Sequence, residues 1–189
     1  MLIRELTVGP VATCCYILSA AEDAAECIVI DPGDEPKRIR HAAGSMRIAA
    51  ILLTHGHFDH IGAVSGLMEE GTQLLIHELD APMLTDPNLN VSRYLIRRDR
   101  VAPEATDLLH EGDRRTFAGL EIEVLHTPGH TPGGVCYLIE GHLFTGDTLF
   151  EHGWGRTDFP GGDEHALFAS LRRIMPMTKT LPFHPGHAT

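Results

Sequence analysis

The stretch Ile48-Ala49-Ala50-Ile51-Leu52-Leu53-Thr54-His55-Gly56-His57-Phe58-Asp59-His60 joins an apolar run to four potential metal ligands within six residues. The apolar part, Ile48–Leu53, reads as a buried strand, and a helical pattern starts near Ile61. At a strand end alternate side chains project together, so His55 and His57 share a face, while Asp59 and His60 swing onto the opening turn of the helix. One loop can then serve two adjacent metal ions. The plain alternative is that Asp59 caps the helix and the histidines are solvated. Chance produces such a spacing on the order of 0.005 times per chain of this composition, which favours the metal reading.

Outward from this loop, Leu2–Val8, Cys14–Ser19 and Cys27–Asp31 read as successive strands, Asp34–Ala43 as a helix, and Ile61–Glu70 as a second helix. Gln73–His77 reads as a further strand. The stretch from Asp80 to Asp107 has no clear period and is expected to be a mobile loop or lid. Beyond it, Arg114–Phe117, Glu121–His126, Gly134–Glu140 and His142–Thr145 are short strands, Glu164–Ile174 is a helix, and Thr180–Phe183 is a last strand. Strands with interposed helices in both halves predict an α+β chain with two packed sheets flanked by helices. One domain over residues 1–189 is expected, because that length buries one full core and is short for two.

The formal charge of −11 repels nucleic acid and anionic membrane surfaces, leaving small-molecule chemistry as the expected activity. No apolar segment approaches the roughly 18 residues that span a bilayer, and no secretory leader pattern opens the chain, so a cytoplasmic protein is expected. The four cysteines, Cys14, Cys15, Cys27 and Cys136, read as reduced core thiols. Histidine is the unusual count, with 13 residues, several beside glycine, proline or aspartate where chains turn.

Three further clusters each follow an expected strand. His126-Thr127-Pro128-Gly129-His130-Thr131-Pro132-Gly133 is a turn stiffened by two prolines, which holds an imidazole at fixed aim. Thr145-Gly146-Asp147-Thr148 ends a strand with a carboxylate that could bridge two cations. Pro185-Gly186-His187 ends the last strand in the same manner. Each is weak alone, and together with the first loop they complete a site. Imidazole and carboxylate donors without thiolate suit zinc, iron or manganese.

These motifs, with Gly146-Asp147-Thr148-Leu149-Phe150 and the Gly153–Gly162 stretch GWGRTDFPGG, make the sequence resemble the metallo-β-lactamase superfamily, and within it the short glyoxalase II-like hydrolases. The resemblance covers essentially the whole chain. It implies a four-layer αββα sandwich with two divalent metal ions, zinc before iron or manganese. His55, His57 and His130 would bind one metal, Asp59, His60 and His187 the other, and Asp147 would bridge them. Two cations roughly 3.5–4 Å apart can share a water and lower its pKa toward about 7, and a hydroxide so formed would attack a thioester such as S-lactoylglutathione. Asp59 would orient that nucleophile as well as bind metal. Arg156 sits near where the resembled hydrolases place a basic residue for a glutathione carboxylate; the plain alternative is a salt bridge to Asp158. Asp31 matches a recurrent acidic position of the family, implying support for the metal loop, and an ordinary Asp-Pro-Gly turn explains it equally well. His77, His126 and His184 match no ligand position.

Full-length glyoxalase II enzymes append a C-terminal helical domain with basic groups for glutathione, and none is expected within residues 1–189. The leading rival is a persulfide dioxygenase, in which His55, His130 and Asp147 would hold a single iron. Lactone hydrolysis on the same ligand set is a second rival. A β-lactamase is disfavoured, because the cysteine ligand of many of those enzymes has no counterpart here. A non-catalytic metal-binding regulator would keep the ligands without an open coordination position.

Overall fold

The strand Thr13–Ser19 (β2, after β1 at Leu2–Val8) is buried at every position because its two faces pack against different layers. Cys14, Tyr16 and Leu18 enter one apolar cluster and Cys15 and Ile17 another, as the two-residue period of an extended chain requires. Glu26–Ile30 (β3) and Arg47–Leu52 (β4) divide in the same way, with Ile28, Ile30, Ala50 and Leu52 on one side and Cys27, Val29 and Ile51 on the other. Strands covered on both faces read as continuous apolar runs, which is why these segments carry so little polar patterning.

The computed structural model describes residues 1–188. Strands β1 to β4, Gln73–His77 (β5) and Asp107–Leu109 (β6) form a six-stranded sheet in sequence order, antiparallel from β1 to β3 and parallel from β3 to β6. Arg114–Phe117 (β7), Leu120–His126 (β8), Val135–Ile139 (β9), His142–Gly146 (β10) and Phe183–Pro185 (β11) form a second sheet, in which β11 lies parallel to β10 at one edge. Tyr16, Ile30 and Leu52 of the first sheet meet Val124, Tyr137 and Phe144 of the second in the core between them. Pro36–Ala43 (α1), Phe58–Ile61 (α2) and Val64–Leu67 (α3) cover the outside of the first sheet through Ile39, Ile61, Val64 and Leu67. Ser92–Leu95 (α4) lies in the loop after β5, and Glu164–Ile174 (α5) covers the second sheet through Leu167, Leu171 and Ile174. The layers are helix, sheet, sheet, helix, which is the αββα sandwich expected.

Polar contacts tie the two sheets together next to the strand ends. The Tyr137 hydroxyl crosses the core to donate to the Leu53 carbonyl at 2.6 Å. Tyr16 donates to the Pro185 carbonyl at 2.6 Å, the Cys14 amide to the Gly186 carbonyl at 2.8 Å, and Thr13 bridges His187. All four cysteines are free and buried, and burial pushes the Cys14 thiol up to about 12, as suits a packed thiol. No helix among the described residues is long and apolar enough to cross a membrane.

Three segments differ from expectation. The helix anticipated over Ile61–Glu70 is two single turns, α2 and α3. Between them the Ala63 amide turns away to the Pro32 carbonyl at 2.8 Å, and Gly62 packs so close to Gly33 that a Cβ would lie 2.3 Å from its carbonyl oxygen. The last strand spans Phe183–Pro185 and not Thr180–Phe183, because the Thr180 and Leu181 amides close a 3₁₀ turn on Met177. The Asp80–Asp107 stretch, read as lacking any period, holds short elements: a 3₁₀ turn at Ala81–Leu84, then α4, and the start of β6. The buried Asn90 side chain donates to the Met83 and Arg100 carbonyls at 2.9 and 2.8 Å, so a side chain supplies the pairing a backbone ladder would otherwise give.

Replacing Tyr137 by Phe removes the donor and leaves the Leu53 carbonyl buried without it. The expected outcome is a loss of about 1–3 kcal/mol of unfolding free energy, read as a lower denaturant midpoint at unchanged slope.

Candidate metal centre

Strands β3, β4, β10 and β11 all deliver side chains to one edge of the sandwich, where the β8–β9 turn joins them. His57 precedes α2 in an extended conformation, and Asp59 and His60 fall in its first turn, as the loop's spacing anticipates. His55, His57 and His60 are buried, and His130 is 5% exposed, so the four imidazoles sit largely out of water.

The structure brings together all seven residues singled out as ligands. Donor atoms of His55, His57 and His130 form one compact group, those of Asp59, His60 and His187 a second, and Asp147 joins His55 and His60 in a third. His57 Nδ1 lies 2.9 Å from His130 Nε2, and His60 Nε2 lies 3.4 Å from His187 Nε2. Asp59 Oδ2 stands 3.3 Å from His187 Nε2 and 3.5 Å from His60 Nε2. Asp147 divides its oxygens, Oδ1 lying 3.5 Å from His60 and Oδ2 3.5 Å from His130 and 3.4 Å from His187. Most of these separations match the edge of a tetrahedron around an ion with ligand bonds near 2.1 Å, which is about 3.4 Å. His55 Nε2, His57 Nε2 and Asp147 Oδ1 are buried without a hydrogen-bond partner. Buried lone pairs left unpaired are costly, and a cation among them removes that cost. The residues present fit a metal.

Outer atoms of the same side chains are held by the protein. His55 Nδ1 donates to Thr54 Oγ1 at 3.1 Å, which itself donates to Asp31 Oδ2 at 2.6 Å. His60 Nδ1 lies 3.0 Å from the same Asp31 oxygen. His130 Nδ1 donates to the Arg156 carbonyl at 2.7 Å and His187 Nδ1 to the Val11 carbonyl at 3.0 Å. Each of these four rings is thereby oriented with Nε2 toward the cluster, the nitrogen it would offer to a metal. Asp31 is more than a turn residue: it is buried, adopts a left-handed φ of 48°, and its Oδ1 accepts from the Thr54 amide at 2.8 Å.

Asp80 escaped the sequence reading. Its buried carboxylate accepts from the Gly56 amide at 3.1 Å, Thr131 Oγ1 at 2.7 Å and the Gly133 amide at 2.6 Å. It therefore clamps the first histidine loop to the β8–β9 turn. Its Glu-Leu-Asp-Ala-Pro context carries no motif; only the close glycines of both loops hint at a shared partner. Gly133 lies so near that a Cβ would stand 2.6 Å from the Asp80 nitrogen. At the far side of the same turn the Asp163 amide donates to the Gly129 carbonyl at 2.8 Å while its side chain caps α5 through Ala166.

Burial, then the neighbouring His130, lowers His57 to about 3, and burial also pushes His55 well below the usual imidazole range. Both rings are therefore neutral at physiological pH, the form that binds metal. Burial would lower His60 too, but Asp59, Asp31 and Asp147 override it and raise it to about 9. Asp59 moves the other way: burial opposes ionisation, and His60, His187 and His57 hold its carboxyl well below the usual range.

A cavity of about 400 Å³ opens over the cluster, with His57, Asp59, His130, Asp147 and His187 at its floor. Arg156 lines it, but its guanidinium pairs with both Asp158 oxygens at 2.6 Å and lies 4.2 Å over the Phe159 ring. Of the histidines without a ligand position, His77 and His126 stack on each other at 4.1 Å, and His184 packs against His142 and Phe144.

The family model described as the metallo-β-lactamase superfamily matches residues 8–175. The chain belongs to the metallo-β-lactamase superfamily. It is, at that level, a metallo-hydrolase with a histidine and aspartate cluster able to hold metal. Within the superfamily it is 34% identical to the hydroxyacylglutathione hydrolase GloC of Haemophilus influenzae, over 89% of this chain and 82% of that one. The crystal structure of the B3 metallo-β-lactamase BLEG-1 covers all of this chain and 92% of its own, with a TM-score of 0.90 and 35% identity. That of TTHA1623, in a di-iron-bound form, covers 98% and 92%, with a TM-score of 0.83 and 37% identity.

Asp80→Ala leaves two amides and a hydroxyl without their acceptor. Metal affinity is expected to fall about 10–100-fold, measured by chelator competition, and unfolding free energy by about 2–4 kcal/mol.

Proposed function

We propose that this chain hydrolyses acyl thioesters at a dinuclear metal centre, as a hydroxyacylglutathione hydrolase-like member of its superfamily. The observation that carries the reading is the pair of ligand groups joined by Asp147 on the floor of the cavity. His55, His57 and His130 would hold one ion, Asp59, His60 and His187 the other, and Asp147 both. Zinc suits these donors, and the di-iron form of TTHA1623 supports iron as the alternative. Divalent metal there supplies Lewis acidity, which lowers the pKa of water toward about 7 and polarises an acyl oxygen.

The chain's own groups do the rest. Asp59 lies at the cavity floor, and its Oδ2 accepts from Thr13 Oγ1 at 3.2 Å, so the carboxylate has a fixed aim. It accepts a hydrogen bond from the attacking water and directs its oxygen at the acyl carbon. Hydrolysis places the water oxygen on that carbon, breaks the C–S bond and returns a proton to the departing thiolate. The substrate is a small molecule, not a nucleic acid or a membrane lipid, in keeping with the net charge of −11 and a cytoplasmic setting. GloC supports the thioester class, and lactones would meet the same donors. A single-iron dioxygenase using His55, His130 and Asp147 has less support, because it leaves Asp59, His60 and His187 assembled without a task.

Protein loaded separately with zinc, manganese and iron should cleave S-lactoylglutathione or a simple acyl thioester in at least one form. Asp59→Ala should lower both metal content and kcat, the latter by about 10²–10⁴-fold. Turnover of a β-lactam with no thioester cleavage would point instead to the activity of BLEG-1.

A further inference from the structure

The walls of the cavity and its rim differ from its floor. Above the ligand cluster stand Phe58, Phe150 and Phe159, and the mouth is edged by Val11, Leu95 and Trp154, which come from three separate segments of the chain. These three are 45%, 53% and 50% exposed, with Trp154 also meeting Phe168 edge-on at 5.5 Å. Single exposed apolar side chains are ordinary, but three around one opening make a surface shaped for an apolar ligand. Arg156 is the one lysine or arginine among the described lining residues, and Asp158 already neutralises it through two hydrogen bonds. Arg97 and Arg98, which follow α4, do not line the cavity. A glutathione arm brings two carboxylates and an ammonium group, and this cavity offers its carboxylates no free cation.

We propose that the preferred substrates are acyl thioesters whose acyl and thiol arms are both uncharged, seated against Val11, Leu95 and Trp154, and that Asp158 sets this preference by occupying Arg156. The inference rests on the thioesterase reading and narrows its substrate. The reaction is the hydrolysis already described: water gives its oxygen to the acyl carbon and a proton to the thiolate, with no change of oxidation state.

The test compares S-hexanoyl-N-acetylcysteamine with S-hexanoylglutathione on the metal-loaded protein, two substrates that differ only in the thiol arm. The neutral thioester is expected to have a kcat/KM at least roughly tenfold higher. Asp158→Asn should free Arg156 and narrow that ratio severalfold by lowering KM for the glutathione substrate. Leu95→Ser should raise KM for S-hexanoyl-N-acetylcysteamine by about tenfold while changing its acetyl counterpart far less. A preference for the glutathione thioester, or a ratio untouched by Asp158→Asn, overturns the inference and leaves thioester hydrolysis standing. Cleavage of neither substrate at full metal occupancy overturns the thioesterase reading and this inference with it.

Discussion

Seven metal-type side chains drawn into one cluster, four of them imidazoles buried from water, are the constraint on which this structure turns. Imidazole nitrogens and carboxylates facing one another at 3.3–3.5 Å gain little as hydrogen bonds, and His55 Nε2, His57 Nε2 and Asp147 Oδ1 are buried without a protein hydrogen-bond partner. Such an arrangement persists only where the surroundings hold it, and the surroundings here are specific. Asp31 and Asp80 each grip backbone and side-chain donors from the loops that carry the ligands, and the Arg156 and Val11 carbonyls fix two more rings. The sandwich matters to function chiefly because its strands end at the same edge, where such props can reach across.

Much of this was legible in the sequence because the ligands occur in short runs at strand ends, where type and spacing together carry information. His55 to His60 lie in six residues, and His130, Asp147 and His187 each follow a stretch read as a strand, although the last of these strands proved to start three residues later than expected. The two-sheet architecture followed from the number of such runs and the helices between them. Less accessible was whatever depended on tertiary packing. The break between α2 and α3 arises where the Ala63 amide meets the Pro32 carbonyl, a contact between segments about thirty residues apart. Strand β6 is three residues long with a single buried side chain, too little for any period to register. Asp80 went unread because its partners, Gly56, Thr131 and Gly133, belong to loops distant in the chain.

Floor and walls of the cavity answer to different demands. The floor is dictated by donor chemistry, which the superfamily membership and the ligand geometry both express. The walls add apolar side chains that are not themselves ligands, from α2, α4 and the segments that carry Val11, Phe150, Trp154 and Phe159. Arg156 sits between the two: its carbonyl serves the floor through His130, while its guanidinium is turned to Asp158 and Phe159 at the wall. One residue thus couples the position of a ligand to the character of the opening.

The contacts between β2 and the Pro185-Gly186-His187 segment bear on the order in which the molecule assembles. Thr13 and Cys14 find their backbone partners in residues made more than 170 positions later, and Val11 receives the ring of His187. During synthesis, which releases the N-terminal part first, the early hairpin therefore waits with open hydrogen-bonding positions until the last ligand emerges. The core between the sheets needs no residue beyond Phe144, whereas the second ligand group is complete only when the segment after β11 docks on β2.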